Sequence, residues 1–392
     1  MAPQIEEQLQ RAAIDFLHDW KKDPKQRTLK WNERIYELFK IIQKSDSLRN
    51  RISLQDIGET IGWVCTYLNK ILEHISDEEF TEYLKSTILA TKTYHFYYPI
   101  YNVYRFPKNM KLGHSIVLTF EDLPKEVQQD FILTWKHHFT VNTEYARTEG
   151  ELVDRKKACT YLHLVVMANG HYKATERASS LAQDSVHILR FLYAVHFPVN
   201  ECRYTIEGSK NRGGMESVGE RFPGSASYVE KFGKMISELT DIITKSKPTT
   251  IERKIKNTVR IFGIQTSITS LEVRFVLLVT CLESLLLTES DRDYILWKLA
   301  EKTAFLIGKN RKTINDFVKS AYKKRSAFIH EKTKKKKEEI ITETDVFNME
   351  SVVFSVFRKL MEFRERGYAE IQKKPNFQSI DEHIEEIKFG KE

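Results

Sequence analysis

No two cysteines of this 392-residue chain stand close enough to form a Cys-x-x-Cys pair. Cys65, Cys159, Cys202 and Cys281 are far apart, which argues against a disulfide framework or a thiolate zinc site and for isolated thiols in a reducing compartment. Long apolar runs are missing too. The longest, Phe275 to Leu287, has 13 residues and carries Glu283, too short and too charged to cross a bilayer. Met1-Ala2-Pro3-Gln4-Ile5-Glu6-Glu7 has neither a basic nor an apolar region, so no secretory signal is expected and the protein is expected in the cytoplasm, off the membrane. The glycines between 208 and 227 satisfy neither G-x-x-x-x-G-K-[ST] nor G-x-G-x-x-G, which removes the common nucleotide-binding loops. H-E-x-x-H, G-x-S-x-G and paired-carboxylate patterns are absent as well.

What the chain does have is a composition with 41% hydrophobic and 30% charged residues, enough for two or three domains with their own cores. Its charge is concentrated. Residues 301–340 hold 13 Lys/Arg against 5 Asp/Glu, a balance of +8 that equals the formal charge of the whole chain. A field this localised suits a polyanion such as RNA, and it also suits a solvated helix face with a lysine-rich loop.

Residues 1–93 read as helices, with Ile5, Leu9, Ala12, Ala13 and Phe16 at near-helical spacing and Ser76-Asp77-Glu78-Glu79 opening a later one. Residues 94–207 read as an α+β module. Its first strand is the aromatic run from Tyr94 to Tyr104, where Pro99 suggests an edge position. Further strands are expected over 115–120, 160–167 and 204–206, with helices over 123–138 and 173–196; His163 is expected to be packed rather than a ligand. Residues 208–248 read as a glycine-rich loop followed by a connecting helix over 225–246. After Lys247-Pro248, every segment of 249–370 has helical periodicity with short polar connections, which predicts an antiparallel bundle of about four long helices. Residues 371–392 form a polar tail expected to be loosely held. The fold class is therefore mainly α with a smaller α+β module.

Within the bundle, Tyr322-Lys323-Lys324-Arg325-Ser326-Ala327-Phe328-Ile329-His330 sets a permanent cation and a near-neutral base five residues apart. Arginine suits a phosphate, and histidine can draw the proton from a ribose 2′-OH, so this pair can cut RNA without a metal. The segment follows an apolar helix containing Cys281-Leu282-Glu283-Ser284-Leu285-Leu286 and a second containing Leu299-Ala300-Glu301-Lys302-Thr303-Ala304. In this order the three segments resemble the HEPN superfamily, specifically Apea-like HEPN domains with their "aLEaLl", "la-R-va-Ll" and "lY-x-x-RS-x-x-x-H-G" patterns. The resemblance covers roughly residues 250–370. It departs from the family at Lys302, where Arg is usual, and at Glu331, where Gly is usual.

The resemblance implies a HEPN bundle, a homodimer formed through it, and a metal-independent endoribonuclease with no cofactor. Such proteins act in antiphage defence by abortive infection, or as toxins. The matching catalytic residues are Arg325 on the phosphate and His330 as base or acid; Tyr322, Ser326, Glu283 and Glu331 stand beside them as supporting residues. Lys323, Lys324, Lys332, Lys334, Lys335, Lys336 and Lys337 would track the RNA backbone, and residues 1–248 would sense a phage-derived or cellular trigger. The competing reading is a non-catalytic HEPN dimer that binds nucleic acid or a partner protein as a regulator. On an ideal helix, positions five apart lie about 140° apart and about 7.5 Å along the axis. Arg325 and His330 therefore would not share a face of one regular helix, and a local distortion or a two-fold partner would make their convergence easier.

Overall fold

A computed structural model of the protein describes residues 3–22, 36–45, 48–59, 76–88, 90–100, 103–104, 106, 109–141, 150, 154, 157, 159–194, 197, 199, 201–210, 212–216, 227–228, 232–288, 291, 293–330, 340–371, 384–385 and 388. The chain is mainly helical with a small antiparallel sheet. It divides into two compact units, one comprising Met1–Met110, Ser115–Gln183 and Val199–Arg221, the other Lys111–His114, Asp184–Pro198 and Phe222–Glu392.

In the first unit, α1 (Pro3–Lys22), helical stretches at 36–43 and 54–59, and α2 (Asp77–Ile88) enclose an apolar cluster. Leu9, Ala13 and Phe16 recur at helical spacing and meet Leu38, Ile42, Ile57 and Phe80; the Phe16 and Phe80 rings stack with centroids 6.0 Å apart. Ser76 starts α2 with reciprocal bonds: the Glu79 N–H donates to its hydroxyl, and its own N–H donates to the Glu79 carboxylate.

The sheet strands of this unit are β1 (Lys92–Ile100), β2 (Ser115–Leu118), β3 (Thr160–Ala168), β4 (Glu201–Ile206) and β5 (Arg212–Glu216), in the spatial order β2-β3-β1-β4-β5 and antiparallel throughout. Two expectations are corrected here. β1 pairs with both β3 and β4 and so is central rather than an edge strand; Pro99 is accommodated because the ladder with β4 ends at Tyr97 and leaves Pro99 paired only with β3. The glycine-rich stretch is not loop throughout: Gly213 and Gly214 lie within β5. α3 (Lys125–Val141) brings Phe131 and Trp135 onto Tyr161 and Phe120. His163 is packed as expected, stacked on Tyr97 at 4.9 Å with its Nε2 3.1 Å from His95 Nδ1. α4 (His171–Tyr193) belongs to this unit through Gln183.

In the second unit every residue of α4 from Asp184 to Leu192 is buried. α5 begins only at Gly233 (Gly233–Thr244), since Ser227–Tyr228, expected in a helix from 225, form a short strand. Five helices follow: α6 (Thr250–Gln265), α7 (Leu271–Leu286), α8 (Ile295–Ile307), α9 (Arg311–Ile329) and α10 (Glu343–Ile371). α7 packs against α6, α9 and α10, so Phe275, Leu278, Leu282 and Leu285 are fully buried. A reciprocal Thr249–Glu252 cap starts α6, and the Ser270 hydroxyl accepts the Val273 N–H to start α7. α8 ends on Gly308 at φ 77°, a left-handed position that suits glycine, and the chain turns at once into α9. That short turn makes α8 and α9 packed neighbours. In the tail expected to be loose, Ile384 is buried and Lys388 pairs with Glu301 at 3.0 Å.

Candidate active site at the end of helix α9

The last turns of α9 alternate between burial and exposure. Val318, Ala321 and Ala327 are buried on the bundle side; Tyr322, Arg325 and Ser326 are half-buried; Lys323, Ile329 and His330 are exposed. Arg325 points toward α7, where its Nη2 lies 3.6 Å from Glu283 Oε2. That is an ion-pair distance but too long for a hydrogen bond. The guanidinium lies over the Tyr322 ring, one turn earlier, at 5.4 Å, and its buried Nε has no hydrogen-bond partner among the described residues. Burial raises the Glu283 carboxyl above its usual range, and the Arg325 charge opposes the rise.

α9 is regular to its end. The His330 N–H donates to the Ser326 carbonyl at 3.1 Å, as an α-helix requires, and His330 itself forms the cap at φ −93°, ψ 16°. No local distortion turns His330 toward Arg325. The structure therefore groups Arg325 with Glu283 and Tyr322, and places His330 apart from them at the exposed helix end.

The lysines fall into three sets. Lys323 is exposed. Lys324 is held inside the fold, its Nζ 2.8 Å from Asp345 Oδ2, and Asp345 also accepts the Thr342 N–H and hydroxyl at the start of α10. Burial alone would raise the Asp345 carboxyl, but Lys324 and Thr342 outweigh it and hold it low. Glu331, Lys332 and Lys334 to Lys337 lie outside the described residues.

Lys302, the departure on α8, is a buried cation. Its Nζ lies 2.7 Å from Asp291 Oδ2 and 3.4 Å from the Leu286 carbonyl, while Lys298 reaches the other oxygen of Asp291 at 3.2 Å. The sequence reading missed both acids, Asp291 and Asp345. Each stands three residues after a threonine whose hydroxyl and N–H donate to it, so Thr288-x-x-Asp291 and Thr342-x-x-Asp345 were the available signals.

The poor fit of Glu283 to its surroundings yields a first prediction. A folded-state pKa above the unfolded value contributes stability below the unfolded pKa and loses it as pH rises, so at neutral pH the ionised Glu283 is poorly accommodated. Glu283→Gln keeps the shape and is expected to change unfolding free energy by less than about 1 kcal/mol at pH 7. Urea denaturation measures this, and a loss above about 2 kcal/mol would show the pair to be structural.

Among the described residues, no group of three or more His, Cys, Asp or Glu side chains is placed to hold a metal ion, and no helix is long and apolar enough to cross a membrane. No protein-family model, curated protein or solved structure matches the chain.

Proposed function

We propose that the protein is a cytoplasmic, metal-independent endoribonuclease of HEPN type, acting in antiphage defence by abortive infection or as a toxin. The observation that carries this reading is Arg325. Its guanidinium is half-buried, lies 5.4 Å over an aromatic ring and is not hydrogen-bonded to the acid beside it. A planar cation with free donors, one turn from a helix end that presents an exposed histidine, is suited to a phosphodiester.

In the proposed reaction Arg325 holds the scissile phosphate and stabilises the charge that builds on its oxygens. His330 takes the proton from the 2′-OH, or gives one to the 5′-oxygen as it leaves. The 2′-oxygen bonds to phosphorus as the P–O5′ bond breaks, yielding a 2′,3′-cyclic phosphate and a 5′-hydroxyl. The regular course of α9, which sets Arg325 and His330 on different faces, supports a site in which Arg325 of one protomer works with His330 of a second, in a homodimer joined through the bundle. Residues 1–248 sense the trigger and restrain the nuclease.

One observation favours the non-catalytic reading. Arg325 already has an intramolecular carboxylate within ion-pair distance, as a structural arginine would. An assay with single-stranded RNA in EDTA separates the two. The nuclease is expected to leave cyclic phosphate ends and to spare DNA of the same sequence. Cleavage of DNA, or 5′-phosphate products, would sink the mechanism. RNA binding without turnover, falling steeply with salt and weakened by neutralising Lys334 to Lys337, is the regulator's result.

A further inference from the structure

A cleft of about 630 Å³ opens in the first unit, and the described residues that line it all belong to that unit. Its floor is set by strand alternation. Lys92 and Tyr94 are two apart on β1 and share a face, and the register Tyr94↔Ile206 puts Ile206 and Tyr204 of β4 on that face. The Tyr94 and Tyr204 rings meet with centroids 6.0 Å apart and planes tilted by 59°. Tyr204 lies against Gly213 of β5, where a Cβ would come within 2.7 Å of the phenol. The glycine that read as a loop residue makes room for the ring.

One wall is fixed by Asp56. Its carboxylate accepts the N–H groups of Tyr172 (2.8 Å) and Lys173 (3.0 Å) at the start of α4, together with the Ser53 N–H and hydroxyl. Gly170 lets it approach, since a Cβ there would lie 2.0 Å from the Asp56 Cγ. Asp56 is thus committed to the fold. Glu59 is not buried; it accepts the Tyr172 hydroxyl and stands 3.7 Å from His171 Nε2. Lys92 and Lys210 are exposed on the lining and carry positive charge to the mouth.

Three chemistries therefore meet in one cleft: an aromatic floor, an accessible carboxylate and two ammonium groups. We propose that this cleft binds a nucleoside phosphate, with the base against the half-buried Tyr204, which the buried Tyr94 supports from beneath, the ribose hydroxyls on Glu59, and the phosphates at Lys92 and Lys210. The volume lies within the range of small-molecule sites, about 300–1,000 Å³. Carboxylates commonly accept from ribose hydroxyls, aromatic faces stack on bases, and ammonium groups pair with phosphates. The site concerns binding and stands whether or not Arg325 and His330 cut RNA.

The test titrates the full chain by calorimetry with ATP, GTP, CTP and UTP, and with the matching nucleosides and pyrophosphate. At least one triphosphate is expected to bind saturably, one per protomer, and at least about tenfold more tightly than its nucleoside or pyrophosphate. Tyr204→Ala and the double variant Lys92→Glu/Lys210→Glu should each weaken it about tenfold or more. Both lysines are exposed, so the double variant keeps its melting temperature and reports on the site rather than on folding. Arg325→Ala/His330→Ala should bind within about twofold of wild type, because those residues lie in the other unit. The proposal is overturned if no triphosphate outbinds pyrophosphate, or if the lysine double variant binds like wild type. It is overturned equally if affinity disappears in Arg325→Ala/His330→Ala, which would place the nucleotide at the helix α9 site.

Discussion

His330→Ala is expected to lower RNA cleavage by roughly 10²–10⁴-fold while leaving RNA binding and folding nearly unchanged. The separation follows from where the residue sits. His330 is exposed and caps α9 through its backbone, so losing the imidazole removes little packing; the expected stability cost is about 0.5 kcal/mol or less. Arg325→Ala should also cost roughly 10²–10³-fold in cleavage, but with weaker binding, because it removes the group proposed to hold the phosphate. Arg325→Lys is not expected to rescue it, since an ammonium cannot reproduce the forked donors of the guanidinium that lies over Tyr322. Mixing the two alanine variants tests the shared site. If Arg325 of one protomer works with His330 of another, each heterodimer keeps one intact pair, and an equal mixture recovers about a quarter of wild-type activity. A site completed within one protomer predicts no recovery. Full cleavage by both single variants would remove these residues from the mechanism.

The fold was most legible where local signals agreed with burial. The apolar helix expected around Cys281 to Leu286 is α7, which runs Leu271–Leu286, a long apolar stretch behind the Ser270 cap. Likewise β3 was expected over 160–167 and runs Thr160–Ala168. Legibility ended where partners are distant in sequence. Pro99 reads as an edge signal, and only the early end of the β4 ladder reconciles it with a central strand. Gly213 reads as a loop until Tyr204, nine residues earlier, is seen to need its space. Within the site, the spacing of Arg325 and His330 already indicated different faces, and the regular helix agrees. The lysines could not be sorted from sequence. Lys323 and Lys324 are adjacent and alike in composition, yet one is exposed and the other is paired with Asp345. A charge run reveals a field but not which of its members the fold has already claimed.

Lys302→Met is expected to destabilise the second unit by about 3 kcal/mol at pH 7, measured by urea denaturation. The methionine fills much of the same space, so the cost is that of the missing charge. Lys302 is only 7% exposed and Asp291 only 5%, so removing the ammonium strands a buried carboxylate. Lys298 and Thr288 still bind Asp291, which places the effect at the lower end of the range for broken buried pairs. The double variant Lys302→Met/Asp291→Asn should lose less than the two single changes added together, because it leaves no uncompensated charge. The sign with pH is fixed. Burial alone would raise the Asp291 carboxyl, but Lys302, Thr288 and Lys298 together hold it well below the usual range. A depressed folded-state pKa contributes stability above the unfolded value, near 3.9, and loses it as pH falls. The gap between wild type and Lys302→Met is therefore widest near neutrality and narrows below about pH 4, as Asp291 takes up a proton and no longer needs a cation. A gap of equal size at pH 7 and pH 3 would mean that Lys302 contributes through its aliphatic stem. A gap near zero at pH 7 would mean that Lys298 alone suffices. On the charge argument, the position where the sequence departs from the HEPN-like pattern needs a cation at its tip, and an arginine there would meet the same need.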